Sequence, residues 1–313
     1  MKILVLGWNR WVDSGKKGRR YYKKGDWGPE LFRRELMRQL GSDSVFYGRG
    51  YGDFDPSLTV EEIAKKYKPD ILFTHCNGQE FTRSIGEIPK NIFKVHMAPD
   101  YWETNRKKYN SVYLDVWKYD LIISPVSEGV RLLKEGGYNA RILPFSADTS
   151  IHYDFGFNRD IDIMASFSSS KKIYGETRRK ILKLLRSGEL PIDSFASKAL
   201  WDDHVLKLNQ SKIVANSVEK WDFLNQRFFE VLACNSLLLT DYAEDMETVG
   251  LEDKKHLVVF KGIDDFKDKL FYYLEHEDDR IRIARAGYDF VRENHSTKKR
   301  VSEFLNIISE EVR

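Results

Sequence analysis

Short apolar runs alternate with amphipathic segments along the first half of the chain. Five of these runs have the length of buried strands: 3–7, 44–48, 70–75, 92–98 and 121–126. Three segments between them space their apolar residues with the helical period: 29–41, 59–67 and 126–137. Pro29 suits a first helical turn, and Gly41 and Gly136 follow the last periodic residues. This alternation predicts a parallel sheet with helices on both faces.

The same alternation restarts after a polar connector at 144–159, which contains glycine and has no apolar period. Strand-like runs follow at 160–167, 212–217 and 256–262, with a helical pattern at 175–189. The pattern predicts two Rossmann-like, doubly wound α/β domains, 1–150 and 151–313, and the last helix is a candidate to pack back on the first. In such domains ligands bind beyond the carboxyl ends of the strands, so we expect a ligand in a central cleft that both domains face.

Composition narrows the class of protein. The 313 residues are 42% hydrophobic and 32% charged, as in a globular chain, and the net charge of +3 does not by itself imply a nucleic-acid partner. No apolar run approaches about 18 residues, so we expect no membrane span. The opening MKILVLGW reads as a first strand and not as a signal peptide, which predicts a cytoplasmic protein. Cys76 and Cys234 lie far apart, which argues against a disulfide framework or a zinc site.

The stretch NQRFFEVLACNSLLLTDY, residues 225–242, places two opposite charges in an otherwise apolar helix. Arg227 and Glu230 share one face near the helix start. The amides of a helix N-terminus together with an arginine suit a diphosphate, and a carboxylate one turn later can accept hydrogen bonds from both hydroxyls of a ribose. The spacing equally fits a surface ion pair between positions i and i+3.

The segment 212–242 resembles the nucleotide-sugar-binding segment of GT-B glycosyltransferases, and most of all the CgeB-like, spore-maturation-type branch of the group 1 families. The matching residues are Asn216, Arg227, Phe229, Glu230, Ala233, Cys234, Leu239, Thr240 and Asp241. Asn235 stands where the family usually has glycine, and asparagine is the next-best residue for a left-handed helix cap. Asp222 precedes Glu230 by eight residues and echoes the first of the family's two acids, which contacts the donor sugar.

Further resemblance covers most of the second half. The segment 143–148 is similar to the element that opens the linker between domains, and 295–305 is similar to the closing helix, which we interpret as structural. The segment 162–182 resembles a first donor-domain strand, a phosphate loop and a helix start. The resemblance implies donor-binding roles for Ser168, Ser169, Lys172, Tyr174 and Arg178, in addition to Asn216, Asp222, Arg227 and Glu230.

The first half matches the family only in architecture. Its long segment 8–30 carries six Lys or Arg residues between 16 and 24 together with aromatic residues. It either contacts the donor or the acceptor, or is a solvated loop. Its candidate contacts are Asn9, Arg10, Lys16 and Arg19. His96 and Asp100 are the candidates for acid–base or sugar-positioning work, and His75 is a third. Each of these three also fits a plain hydrogen bond at a strand end.

The resemblance implies a GT-B glycosyltransferase, a hexosyl- or pentosyltransferase that uses a nucleoside-diphosphate sugar such as a UDP-sugar. It implies no metal or other cofactor and retention of the anomeric configuration. The acceptor stays open among a glycan, a protein, a small molecule and DNA. Two alternatives remain: a DNA-modifying glycosyltransferase that acts on a hydroxylated base, and a sugar-nucleotide-binding protein without catalysis.

Overall fold

The computed structural model describes residues 1–7, 27–48, 51, 53–75, 85–98, 114, 116–168, 175–197, 199, 202–218 and 223–312. The chain forms two compact units. The first unit comprises Met1–Pro144 and Val301–Arg313, and the second comprises Phe145–Arg300. The division after Pro144 falls a few residues before the boundary predicted at position 150. In the described part of the chain, no helix has the length and apolar character needed to cross a membrane.

A parallel six-stranded sheet forms the centre of the first unit, with the order β2-β1-β3-β4-β5-β6. Its strands are β1 (Ile3–Leu6), β2 (Ser44–Tyr47), β3 (Ile71–His75), β4 (Phe93–Met97), β5 (Leu121–Ser124) and β6 (Ala140–Ile142). The helices are α1 (Trp27–Leu40), α2 (Val60–Tyr67) and α3 (Ser127–Glu135), with a 3-10 turn at Gly41–Asp43. The parallel sheet predicted from the apolar runs is therefore confirmed.

Strand β1 shows why the runs in this sheet are apolar at every position. Leu4 and Leu6 pack in one core cluster with Ile63 of α2, whereas Ile3 and Val5 pack in a second cluster on the other face. Successive side chains of a strand point to opposite faces, so a strand that is covered on both faces must be apolar throughout.

Helix α2 begins with a capping box. The hydroxyl of Thr59 accepts a hydrogen bond from the amide of Glu62 at 3.2 Å, and the carboxylate of Glu62 accepts one from the amide of Thr59 at 2.8 Å. The helix ends at Lys68, which adopts a left-handed conformation with φ of 47°. This reciprocal pair satisfies two amides that a helix start otherwise leaves unbonded.

The second unit is built on a parallel five-stranded sheet with the order β11-β10-β9-β7-β8. Its strands are β7 (Ile161–Met164), β8 (Ser194–Phe195), β9 (Ser211–Ala215), β10 (Leu237–Thr240) and β11 (Val258–Val259). Its helices are α4 (Thr177–Arg186), α5 (Asp202–Gln210), α6 (Gln226–Ala233), α7 (Asp245–Thr248), α8 (Gly262–Glu275) and α9 (Glu277–Asn294). A last helix, α10 (Thr297–Glu311), begins here, and its residues from Val301 onward belong to the first unit.

One glycine allows α9 to pack closely in the second unit. A Cβ atom on Gly287 would lie 2.3 Å from the carbonyl oxygen of His256. It would also lie 2.8 Å from a methyl carbon of Leu232, the second-last residue of α6. Real Cβ atoms do not approach this closely, so glycine is required where α9 crosses these neighbours. The contact supports α6, the helix that carries Arg227 and Glu230.

The connector after residue 144 is hydrogen-bonded to the predicted closing motif at the start of α10. The amide of Ala147 donates to the carbonyl of His295 at 3.0 Å, and the amide of Thr297 donates back to the carbonyl of Ala147 at 2.8 Å. The hydroxyls of Ser146 and Thr297 are 3.1 Å apart. These bonds hold the connector in place within the second unit.

Candidate functional site

Helix α6 starts with an asparagine cap. Asn225 has an extended backbone, and its side-chain oxygen accepts a hydrogen bond from the amide of Arg227 at 3.1 Å. The amide of Phe228 donates to the carbonyl of Asn225 at 3.2 Å. These two amides are thus bonded within the protein, and a contact between this helix N-terminus and a diphosphate stays a prediction. The half-buried side chain of Arg227 is the group at this helix start that suits a phosphate.

One turn later on α6, Glu230 lies between two imidazole rings. Its Oε1 is 3.9 Å from Nε2 of His152, and its Oε2 is 3.6 Å from Nε2 of His204. The side chain of Glu230 is only 13% exposed, so it is not part of a solvated surface ion pair. The carboxylate is therefore held in a buried, polar environment.

The groups around Glu230 favour its ionised form. Burial by itself raises the pKa of this carboxyl, yet the two imidazoles and the Arg227 guanidinium outweigh burial and lower the pKa to about 2. Burial also lowers the pKa of His152 below its usual range, in spite of the nearby carboxylate. At neutral pH the site thus combines an ionised carboxylate with a neutral His152. The carboxylate is able to accept hydrogen bonds from hydroxyls.

The two histidines reach Glu230 from distant parts of the sequence. His152 follows the connector turn, where its amide donates to the carbonyl of Asp148 at 2.7 Å, and His204 lies in the first turn of α5. Sequence reasoning missed both residues. No spacing rule joins positions 152, 204 and 230, and the largely polar segment DDHVLKLNQ carries no motif that singles out its histidine.

The segment after β9 is fixed at its beginning by Asp241, which follows β10. The carboxylate of Asp241 accepts hydrogen bonds from the hydroxyl of Ser217 at 2.6 Å and from the amide of Val218 at 2.7 Å. Asn216 is buried just before Ser217, and its Oδ1 accepts a hydrogen bond from the side-chain Nδ2 of Asn225 at 3.4 Å. The Thr-Asp end of β10 therefore orders Ser217 and Val218, directly after Asn216.

Arg178 has a structural role of its own in α4. The side chain is buried, its Nε donates to the carbonyl of Ser217 at 2.6 Å, and its guanidinium lies 5.4 Å from the ring centroid of Phe167. This contact orders the same segment that Asp241 holds. A direct contact of Arg178 with a donor phosphate stays a prediction.

The other predicted donor and acceptor contacts are only partly placed by the structure. Ser168 is exposed after β7. The remaining predicted residues lie outside the described part of the chain: Ser169, Lys172, Tyr174, Asp222, Asn9, Arg10, Lys16, Arg19 and Asp100. Their roles remain predictions.

His96 and His75 both lie in the first unit and are buried. Nδ1 of His96 is 2.8 Å from the hydroxyl of Thr74, which in turn is 2.8 Å from the hydroxyl of Tyr119, and the His96 ring stacks on Tyr119. His75 stacks on Phe73, and burial holds its pKa well below the usual range. The structure thus gives His96 a hydrogen bond and His75 an apolar stack, and their catalytic roles stay predictions.

Among the described residues, no group of three or more His, Cys, Asp or Glu side chains is arranged to hold a metal ion. The prediction that the protein needs no metal is left as it stands, because the undescribed segments also contain such residues.

Comparison with known proteins agrees with this architecture. Residues 178–306 match the family model described as glycosyl transferase-like. HepE from Anabaena, solved in complex with UDP and glucose, is 11% identical with a TM-score of 0.69, and the alignment covers 99% of both chains. Sucrose-phosphate synthase from Thermosynechococcus elongatus is 10% identical with a TM-score of 0.64, again over 99% of both chains.

A third similar structure is an alpha-glucosyltransferase in complex with UDP-glucose and DNA containing an abasic site. It is 11% identical with a TM-score of 0.62 over 99% of both chains. No curated protein sequence matches the chain. The structural likeness confirms the predicted GT-B fold, and the family match covers the part of the chain that holds Arg227 and Glu230. The predicted CgeB-like branch is not confirmed by these matches.

Proposed function

We propose that this protein is a glycosyltransferase that takes its sugar from a nucleoside-diphosphate sugar, with a UDP-sugar as the first candidate. The observation that carries the proposal is the ionised, buried Glu230, one turn after Arg227, within the glycosyl transferase-like region. Similar structures were solved in complex with UDP and glucose and with UDP-glucose, which supports a UDP-sugar donor.

The residues around α6 have the chemistry that such a donor needs. Arg227 presents a planar fork of donors to the diphosphate, and it stabilises the charge that develops there as the bond to the sugar breaks. Glu230 accepts hydrogen bonds from the ribose hydroxyls. Asn216, Asp222 and the segment with Ser168, Ser169, Lys172 and Tyr174 supply the further donor contacts, and Arg178 orders Ser217 beside them.

The remaining parts of the proposal follow the GT-B analogy. The first unit holds the acceptor, with His96, Asp100 and the basic segment around Asn9, Arg10, Lys16 and Arg19 as candidate contacts. The reaction proceeds without a metal ion and with retention of the anomeric configuration. The hexosyl or pentosyl nature of the transferred group and the cytoplasmic location belong to the same proposal.

The direct test is the release of nucleoside diphosphate from a panel of nucleotide sugars. We expect Arg227→Ala to lower the rate of release from the preferred donor by about 100-fold, the typical effect of removing one transition-state donor. Its melting temperature should stay close to that of the wild type. Arg179→Ala is the matched control, because Arg179 is exposed on α4 and pairs with Glu176. Undiminished release by a folded Arg227→Ala protein would refute the assignment.

DNA is a second candidate acceptor. The similar structure that contains UDP-glucose and DNA favours it, as does the basic and aromatic character of 8–30. Binding to duplex DNA should then weaken steeply with added salt, because phosphate contacts release counterions. Fluorescence anisotropy with a labelled duplex measures this, and an absence of binding at low salt removes DNA from the candidate acceptors.

A binding protein without catalysis is the remaining alternative. It would be stabilised by a nucleoside diphosphate in a thermal-shift assay, since a ligand that binds only the folded state raises its stability. It would nevertheless release no nucleoside diphosphate from any sugar nucleotide in the panel. The two measurements together separate an enzyme from a sensor or scaffold.

A further inference from the structure

The arrangement of imidazoles around Glu230 has a consequence for the nucleotide that the site selects. A carboxylate has two oxygens and about four acceptor positions. Nε2 of His152 faces Oε1 at 3.9 Å and Nε2 of His204 faces Oε2 at 3.6 Å, so each oxygen has one imidazole beside it. One acceptor position on each oxygen is left for other donors.

The two imidazoles flank this carboxylate, but neither forms a close ion pair with it. His152 is buried, and burial lowers its pKa, so the ring is neutral; Nε2 is the ring nitrogen that faces the carboxylate. His204 also directs Nε2 toward the carboxylate, and in the described part of the chain its buried Nδ1 has no hydrogen-bond partner. Both distances exceed a hydrogen bond, and such contacts often shorten when a ligand closes the site.

We propose that His204 is a positioning residue that orients Glu230 toward the two vicinal hydroxyls of a ribose, so that the site selects ribonucleotides over 2′-deoxyribonucleotides. This inference rests on the proposed function of the site. His204 is the accessible member of the pair, since its side chain is 13% exposed while that of His152 is 1% exposed. A change at position 204 therefore disturbs packing less than a change at position 152.

The test measures dissociation constants by calorimetry for the full chain. UDP, GDP and ADP identify the diphosphate that binds best, and its 2′-deoxy counterpart is the second probe. We expect the wild type to bind the ribonucleotide about 10-fold or more tightly, because a missing hydroxyl leaves a buried charged acceptor unpaired. His204→Phe keeps a ring of similar size without the N–H, and its preference should fall to less than about twofold.

Two further variants make the result specific. His204→Gln retains an N–H donor on a planar group and should recover part of the preference. His276→Phe is the control, because His276 is an exposed histidine at the end of α8. If His204 acted through packing alone, His204→Phe would weaken the binding of both nucleotides equally. The ratio of their dissociation constants would then stay unchanged.

The outcomes separate the inference from the function on which it rests. A ratio in His204→Phe within twofold of the wild-type ratio overturns the inference while the donor site stands. A wild type that binds a ribonucleotide and its deoxy form equally also overturns it. If none of the three diphosphates binds the wild type, the proposed function itself fails. If His204→Phe does not fold, the ratios of His204→Gln and His204→Ala decide the question in the same way.

Discussion

At the scale of single residues, Glu230 shows how a buried carboxylate stays ionised without bulk water. Two imidazoles and a guanidinium surround it, and they outweigh the cost of burial, so its pKa falls to about 2. A buried carboxylate without such neighbours would be destabilised by its negative charge. In Glu230 that charge is retained, and the carboxylate is available to bind hydroxyls. A residue with this arrangement is a better candidate for ligand binding than for core packing.

Stability should depend on pH through Glu230. Its folded-state pKa of about 2 lies below the ordinary value of 4.5, so its ionisation contributes stability in full above pH 4.5. This contribution is lost as pH falls from 4.5 toward 2. In urea unfolding, the wild type should have a free energy of unfolding on the order of 2 kcal/mol higher than that of Glu230→Gln at neutral pH. The difference should be smaller at pH 3.

The control for this experiment is Glu275→Gln, a change at an exposed carboxylate at the end of α8. We expect a small difference from the wild type at both pH values, as for most surface substitutions. If Glu230→Gln and Glu275→Gln show the same dependence on pH, the burial and pairing of Glu230 are not as described.

His295 gives a second pH-dependent contribution, with a different range. Its Nε2 donates to the carbonyl of Val249 at 2.9 Å, and its Nδ1 accepts from the Arg300 guanidinium at 2.6 Å. Burial and the charge of Arg300 lower its pKa from 6.5 to about 4, so protonation opposes folding. The stability from the neutral ring is full above pH 6.5 and is lost as pH falls toward 4.

Replacing His295 by glutamine should remove much of this dependence while retaining one donor and one acceptor. Between pH 7.5 and pH 4.5 the wild type should lose on the order of 2 kcal/mol more unfolding free energy than His295→Gln. Denaturant titration at both pH values measures the difference. Parallel curves for the two proteins would show that His295 is not held neutral by its partners.

At the scale of elements, the end of α6 explains why asparagine fits at position 235, where the resemblance to GT-B glycosyltransferases predicts glycine. Asn235 adopts a left-handed conformation with φ of 58°. Its amide donates to the carbonyl of Leu232, and the amide of Ser236 donates to that of Val231, which together form a Schellman turn. Its side chain also donates to a carboxylate oxygen of Asp154 at 2.8 Å. Asparagine therefore supplies a hydrogen bond that the usual glycine lacks.

Substitutions at Asn235 should separate the backbone effect from the side-chain effect. Asn235→Ala loses the hydrogen bond and also strains a left-handed backbone, and should cost about 2 kcal/mol of unfolding free energy. Asn235→Gly loses only the hydrogen bond and should cost about 1 kcal/mol or less. Chemical denaturation measures both. In an Asp154→Ala background the cost of Asn235→Gly should nearly vanish, and an undiminished cost there would refute the role of the Asp154 contact.

The elements also show what the sequence could predict and what it could not. Long apolar runs and periodic helices were predicted correctly, because strands covered on both faces and amphipathic helices leave direct traces in the sequence. Four elements, β6, β8, α5 and α7, were missed, since strands of two or three residues, a largely polar helix and a single helical turn leave little trace. Because α5 carries His204, the missed helix concealed part of the site. Arg227 and Glu230 share one helix and were visible from their spacing, whereas both imidazoles arrive through tertiary packing.

At the scale of the whole molecule, the order of the chain and the division into units do not coincide. Helix α10 begins in the second unit, yet Val301, Phe304 and Ile308 belong to the core cluster of the first, with Ile3 and Val5 of β1. The apolar residues of α10 follow an ordinary helical period, and that period identifies a buried face without identifying its partner. The sequence names this last helix as a candidate to pack on the first domain, and its residues from Val301 onward belong to the first unit, which holds the sheet at the opposite end of the sequence.

The first unit should therefore depend on a residue near the C-terminus. Phe304 is fully buried, and its ring centroid lies 4.7 Å from that of Phe73 and 5.3 Å from that of Phe32. Phe304→Ala should cost about 3–5 kcal/mol of stability, the usual range for a buried phenylalanine. Hydrogen exchange read by mass spectrometry should show the largest loss of protection in β1 and β3, with a smaller loss in β9 and β10. Asn306→Ala, at an exposed position of the same helix, is the control and should leave exchange unchanged. Loss of protection confined to the second unit would contradict the assignment of α10 to the core of the first.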